Sequence, residues 1–189
     1  MKPGTKIKKG KILFEKIEAK AVKPILVPTE LDISAFHMRV GKVLEVQDFK
    51  EAEKPLYKLK VDFGYQGIKW TAAGLKNQIK KQSLKGKKII GLLNLVPKSI
   101  AGFKSEFLTL AGVDDKGHIE VLTAEKSKPG AMVYIEGETP KPVKHVTIAD
   151  FLKLGLKPSK EGYILHYKKP LRTDKEKIKL AVIRHGIIR

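Results

Sequence analysis

Residues 57–63, Tyr-Lys-Leu-Lys-Val-Asp-Phe, alternate strictly between apolar and charged side chains. A period of two puts Tyr57, Leu59, Val61 and Phe63 on one face of an extended strand and Lys58, Lys60 and Asp62 on the other. A helix would scatter both sets around its circumference. This segment therefore commits the chain to a sheet with one buried face and one charged, solvated face.

Apolar runs on either side extend that sheet. Val40 to Val46 reads as a first strand, with Gly41 inside it as a bulge or bend. Residues 68–72 form a third strand, Lys87 to Leu95 a long fourth and Phe107 to Ala111 a fifth. Residues 75–85 are the helical candidate between the third and fourth. His118 to Leu122 and Met132 to Ile135 are two more strands, and Pro129-Gly130 is a turn between them. Five strands with a short helix between the third and fourth is the order of an OB-fold barrel, so the expected class is mainly β.

Between the fourth and fifth strands runs Leu-Val-Pro-Lys-Ser-Ile-Ala-Gly-Phe-Lys-Ser-Glu, residues 95–106. A proline, a glycine, two lysines and two serines make this a rigid, cationic, hydrogen-bonding loop carried on β-structure. The whole chain has 39 Lys and Arg against 20 Asp and Glu, a formal net charge of +19. Solubility requires a magnitude of only about 2–8 in a small domain, so a polyanionic partner is implied. The excess is spread along the chain: +5 in residues 1–30, +6 in 31–137 and +8 in 138–189.

Other classes lack support. No apolar run reaches the length of about 18 residues needed to span a membrane, and no membrane partner is expected. The first ten residues carry charge without an apolar core and do not read as a secretory signal. The sequence has no cysteine, which excludes disulfides, thiolate zinc sites and cysteine nucleophiles and fits a reducing, cytoplasmic setting. The five histidines are scattered without metal-ligand spacing. No phosphate loop, nucleophile elbow or dinucleotide fingerprint occurs. Asp114-Asp115-Lys116-Gly117 reads as a turn rather than a carboxylate pair. The expected protein is a binding module, with no catalytic residue, cofactor or metal.

Three segments follow. Residues 1–30, broken by Pro3, Gly4, Gly10, Pro24 and Pro28, read as a basic linker with one apolar patch at Ile12-Leu13-Phe14. Residues 31–137 hold the barrel. Residues 138–189 form a small α+β extension, with a helix around Val146 to Leu154 that Thr147 caps and Gly155 ends, then strands at Tyr163–Tyr167 and Lys177–Ile183.

The series Met38-Arg39-Val40-Gly41-Lys42-Val43, Tyr57 to Gly64, Ala73-Gly74-Leu75, Asn94-Leu95-Val96-Pro97 and Gly102-Phe103-Lys104-Ser105-Glu106 resembles the tRNA-binding OB domain of the aminoacyl-tRNA synthetase accessory family. That family includes endothelial monocyte-activating polypeptide II, the C-terminal appendices of methionyl- and tyrosyl-tRNA synthetases, and the secretion chaperone CsaA. The stretch Val46 to Lys60 and residues 100–106 are similar to CsaA in particular. The tail, with His166-Tyr167-Lys168-Lys169-Pro170 and Arg184 to Arg189, is similar to the extra domain of the monocyte-activating polypeptide. In that family the extra domain mimics a missing dimer partner, which implies a monomer with a pseudo-dimeric interface. Lys2 to Glu18 resembles the end of a methionyl-tRNA synthetase body, which implies a synthetase acting on the same tRNA in cis.

The implied function is a tRNA-binding module without sequence specificity. Its alternatives are a CsaA-like peptide-binding chaperone and a cytokine-like signal after release. In an OB-fold, lysines take phosphate and aromatics lie under bases. Lys58, Lys60 and Lys69 project from strands as phosphate contacts or as ordinary solvated lysines. Trp70 alternates with Lys69 and is expected in the core, while Phe36 and His37 are candidates for base stacking. Residues 76–88 hold six lysines and no acid, and Lys76, Lys80 and Lys81 are taken as backbone contacts. Asn94, Gly102 and Ser105 match the family's loop positions, and Lys98 and Lys104 stand near loop positions that are basic in other members. Glu106 either orients these groups or pairs with Lys104. Arg39-Val40-Gly41-Lys42-Val43 resembles the segment linked to cytokine activity, on what reads as a buried strand.

Overall fold

The computed structural model describes residues 31–189. The basic linker and its likeness to a synthetase body lie outside the described residues. Among the described residues fourteen strands occur: β1 (Met38–Phe49), β2 (Leu56–Asp62), β3 (Ile68–Ala73), β4 (Lys88–Leu92), β5 (Lys98–Ile100), β6 (Phe103–Ser105), β7 (Leu108–Thr109), β8 (Ala111–Val113), β9 (Ile119–Val121), β10 (Met132–Ile135), β11 (Lys157–Pro158), β12 (Ile164–His166), β13 (Lys169–Arg172) and β14 (Ile187–Ile188). The helices are α1 (Lys81–Leu84) and α2 (Ile148–Lys153).

The mainly β barrel expected from the alternation is present. β1 is its spine. One edge of β1 pairs with β10 at Met38 and Arg39, then with β2 from Lys42 to Phe49. The other edge pairs with β4 from Met38 to Lys42. β2 pairs with β3, and β4 with β7. The circuit closes where the Glu106 amide donates to the Trp70 carbonyl at 2.9 Å. The Thr71 hydroxyl donates to the Phe107 carbonyl at 2.6 Å beside it. Tyr57, Leu59, Val61 and Phe63 all point inward and are buried, as their spacing requires.

The barrel has two cores, one on each side of the same wall. Val43, Leu59, Val61, Phe63, Ile89 and Phe107 fill the interior. Met38, Val40, Ile90 and Leu92 face the other way, and the extension covers them with Phe151, Leu156, Ile164, Leu171, Leu180 and Ile188. The adjacent pair Ile89-Ile90 serves both cores, which is why β4 is a continuous apolar run rather than an alternating one. Strand pairing reinforces this contact, because β13 joins β10 and β14 joins β8. The apolar core thus runs across residue 137, from the barrel wall into the extension.

Several local expectations change. The β1 bulge lies at Leu44, between Val43 and Glu45, and not at Gly41. At Gly41 a Cβ would stand 2.5 Å from both the Phe63 ring and Val61 Cγ1, so its bare backbone makes room for the ring that fills the barrel. The helix expected over 75–85 shrinks to α1. The Gln78 side chain instead donates to the Gly117 carbonyl and accepts from the Ile119 amide, and the Tyr57 hydroxyl donates to the Ile79 carbonyl. These tertiary bonds hold the segment in turns. The fourth strand stops at Leu92, and residues 177–183 make only isolated bridges, such as Lys179 with Tyr163 and with Thr123. α2 starts as expected, with a reciprocal capping box between Thr147 and Asp150.

Candidate nucleic-acid interface

The charged face of β2 is also an aromatic face. Cross-strand partners share a side of a sheet, and the register pairs Lys60 with Trp70, Gln47 with Lys58 and Phe49 with Leu56. Trp70 therefore lies outside, beside Lys60, and not in the core as its alternation with Lys69 suggested. The inward positions of β3 are taken by Thr71's parity: Thr71 and Ala73 are buried, and Lys69 shares their side. The choice of face belonged to the register with β2, which the short β3 sequence does not encode.

The β5–β6 hairpin folds over this face and brings Phe103. Its ring centroid lies 5.3 Å from that of Phe49 and 6.1 Å from that of Trp70, both edge-on. Lys58 Nζ stands 4.3 Å from the centre of the Phe49 ring, and Lys60 Nζ 5.6 Å from that of Trp70. Lys58 also pairs with Glu51 at 3.2 Å, while Lys60 has no ion pair among the described residues. Phe49 is buried, so Trp70 and Phe103, both part-exposed, are the rings that can stack bases while the ammonium groups beside them hold phosphates. Phe49 and Phe103 belong to this face although neither carries a signal of its own in the strand alternation. Phe103 sits between Gly102 and Lys104 in the cationic loop, and that adjacency was the available signal.

The hairpin is held by groups expected to touch RNA. Ala101 and Gly102 have φ of 44° and 76°, the two left-handed residues of a tight turn joining Ile100 to Phe103. A Cβ on Gly102 would meet nothing within 4 Å, so this glycine serves the turn. Ser105 Oγ lies 2.9 Å from Thr71 Oγ1 and accepts from the Ala72 amide at 3.3 Å. Glu106 neither pairs with Lys104 nor orients the loop polar groups: its carboxylate accepts from the Trp70 amide at 2.8 Å. Asn94 is buried, accepts from the His37 amide and donates to the carbonyls of Ala35 and Val143. Asn94 and Ser105 thus spend their hydrogen-bonding groups on the backbone and on Thr71, and Asn94 ties the barrel to the extension.

Lys69 faces a different place. With Lys104, His37, Lys144 and His145 it lines a groove of about 430 Å³ between the barrel and the first residues of the extension. Lys98 stands exposed on β5. Lys76 and Lys81 are not uncompensated: both pair with Asp48 of β1, Lys76 at 3.1 Å. The hydrogen bond from Lys81, then that from Lys76, holds the Asp48 carboxyl below its ordinary pKa. Lys80 is exposed without an ion pair among the described residues. Phe36 is a core residue packed edge-on against Phe151 at 5.7 Å. Burial, with Arg39 and Lys69 nearby, lowers the pKa of His37. The neutral ring can then accept from Arg39 Nε at 2.8 Å. In the segment 39–43, Arg39, Val40, Gly41 and Val43 are buried, Lys42 is exposed, and β1 is paired on both edges there. Among the described residues no cluster of three acidic or histidine side chains is placed to hold a metal.

The fold is a β-barrel with a cationic, aromatic outer face, the chemistry of a nucleic-acid-binding domain. The chain belongs to the tRNA-binding domain family, which matches over residues 38–132. It is 34% identical over 149 residues to the methionine–tRNA ligase of Methanocaldococcus jannaschii, a match covering 69% of this chain and 23% of that one. The chain spans at most about a quarter of the methionine–tRNA ligases it matches. The C-terminal domain of Plasmodium vivax p43 has the same fold, with a TM-score of 0.76 at 24% identity over 84% of this chain and 99% of that one. That share exceeds the barrel alone. The CsaA chaperone of Picrophilus torridus is 45% identical and covers 52% of this chain and 92% of its own, with a TM-score of 0.49.

Proposed function

We propose that this domain captures tRNA in cis as the C-terminal appendix of a cytoplasmic methionyl-tRNA synthetase, raising the local concentration of tRNA at the catalytic body. The observation that carries this reading is the outer barrel face, where Lys58 and Lys60 lie over Phe49, Phe103 and Trp70. Ammonium groups deliver phosphate contacts and the part-exposed rings of Trp70 and Phe103, seated on the buried Phe49, accept any base, so binding follows shape and backbone rather than sequence. The likeness to methionine–tRNA ligases supports the choice of parent enzyme.

The extension supports a monomer with a pseudo-dimeric interface. It covers Met38, Val40, Ile90 and Leu92, the apolar outer wall that a bare barrel would offer to a second copy. The same cover argues against a CsaA-like peptide groove on that wall. A signalling role for Arg39 to Val43 would require β1 to leave the middle of the sheet.

Titration of tRNA with the full chain at two salt concentrations, with sedimentation of the same sample, tests the proposal. A monomer whose affinity falls steeply with salt is expected, each phosphate contact contributing about 0.7–0.9 to the log–log slope. Absence of binding at low salt would overturn it.

A further inference from the structure

We infer that a second RNA contact lies at the opposite turn of the β2–β3 hairpin, where Tyr65 stacks an unpaired base and Lys126 and Lys128 hold the adjoining phosphates. This inference rests on the tRNA-binding reading and adds a site outside the face described above. Tyr65 is 73% exposed, the most exposed large hydrophobic side chain of the barrel. An aromatic ring so placed contributes little to folding. Behind it stands Arg39, only 9% exposed, with its guanidinium carbon 5.1 Å from the centre of the ring. The guanidinium is itself fixed, donating from one nitrogen to the Gly130 carbonyl at 2.9 Å and from Nε to His37 at 2.8 Å.

The platform is rigid. Tyr65 lies in the turn Gly64–Gln66, which docks on the Pro129-Gly130 turn so closely that a Cβ on Gly64 would meet the Pro129 carbonyl oxygen at 2.6 Å. One side of the ring therefore has a cation against it, and the remaining exposed surface borders a groove of about 500 Å³, a size that suits a nucleoside. Lys126 and Lys128 line this groove, are exposed and have no ion pair among the described residues. Lys175, from the extension, lines it too but shares its charge with Asp174 at 3.6 Å. Arg39, which lines this groove, donates to His37, which lines the separate groove holding Lys69, Lys104 and Lys144. A ring stacked on a fixed guanidinium, bordered by free ammonium groups, suits a single-stranded nucleotide: a flat base on the ring and phosphates to either side.

The test uses the full chain, with tRNA and a labelled twelve-nucleotide oligouridylate as probes. Tyr65→Ala is expected to weaken both complexes roughly 5- to 160-fold, the range for one base–aromatic stack, and to leave the salt slope unchanged. Tyr65→Phe keeps the ring and should bind as the parent does. Replacing Lys126 and Lys128 together by Ala should instead lower the slope by about 1.4–1.8. If the parent binds tRNA and Tyr65→Ala binds it equally well, or Tyr65→Phe is as weak as Tyr65→Ala, the stacking site is refuted while the tRNA reading stands. If the parent binds no tRNA at low salt, both fail. The exposed position of Tyr65 keeps the fold out of the comparison.

Discussion

Glu106 joins the stability of the barrel to the shape of the face proposed to bind RNA. It is tied to one residue twice: its amide donates to the Trp70 carbonyl at 2.9 Å, and its carboxylate accepts from the Trp70 amide at 2.8 Å. Replacing Glu106 by Ala keeps the first bond and removes the second, leaving a part-buried amide of β3 without its acceptor. A hydrogen bond to a charged group is worth about 1.5–3 kcal/mol, and an orphaned donor costs about as much. The expected loss is about 1.5–3 kcal/mol. In a chain of this size each kcal/mol moves the melting temperature by about 2–4 °C, so a fall of about 3–12 °C should follow. Glu106→Gln retains a neutral acceptor and should lose about half as much. The same seam seats the β5–β6 hairpin against β3, and with it Phe103 against Trp70. Affinity for tRNA should therefore fall for Glu106→Ala by more than the loss of one negative charge would predict, since removing an acid near Lys69 and Lys104 would otherwise strengthen RNA binding. Thermal melts beside tRNA titrations measure both effects. An unchanged melting temperature in Glu106→Ala, or tighter tRNA binding at unchanged stability, would refute the reasoning.

Two further outcomes are expected. Gly91→Ala would place a Cβ 2.6 Å from Phe63 and 2.9 Å from Phe107, rings buried edge-to-face at 4.9 Å, so urea unfolding should show a loss of about 1–3 kcal/mol, whereas Gly74→Ala, with only Leu56 at 3.8 Å, should be neutral or slightly stabilising. Asp48 has a folded pKa below its ordinary 3.8, so its stabilisation is present above that value and is lost as pH falls through the lower, folded pKa; Asp48→Asn should flatten this acid limb in melts against pH, and by freeing Lys76 and Lys81 should steepen the salt dependence of tRNA binding.

The candidate site was legible in part. Lys58 and Lys60 could be assigned to the wet face because strict alternation leaves one choice of side. Asn94 and Ser105 could be picked out because they match loop positions of the family the sequence resembles. What they bond was not visible, because their partners at Ala35, Val143 and Thr71 lie 34 to 59 residues away in the chain. Lys76 and Lys81 looked unbalanced because the acid that answers them, Asp48, sits on β1 and reaches them only through the fold.

By itself the sequence determined the mainly β class, the inward set Tyr57, Leu59, Val61 and Phe63, the capped helix at Thr147 and the polyanionic character of the partner. Each of these depends on periodicity, local backbone chemistry or summed charge, which are properties of neighbouring residues. Tertiary structure alone decided that Trp70 faces outward, that Gly41 is a space for the Phe63 ring, that Arg39 backs Tyr65, and that residues 138–189 share a core with the barrel wall. Those depend on strand register and on contacts between distant segments, and such pairings are selected by the packing energy of the whole chain rather than by any window of it.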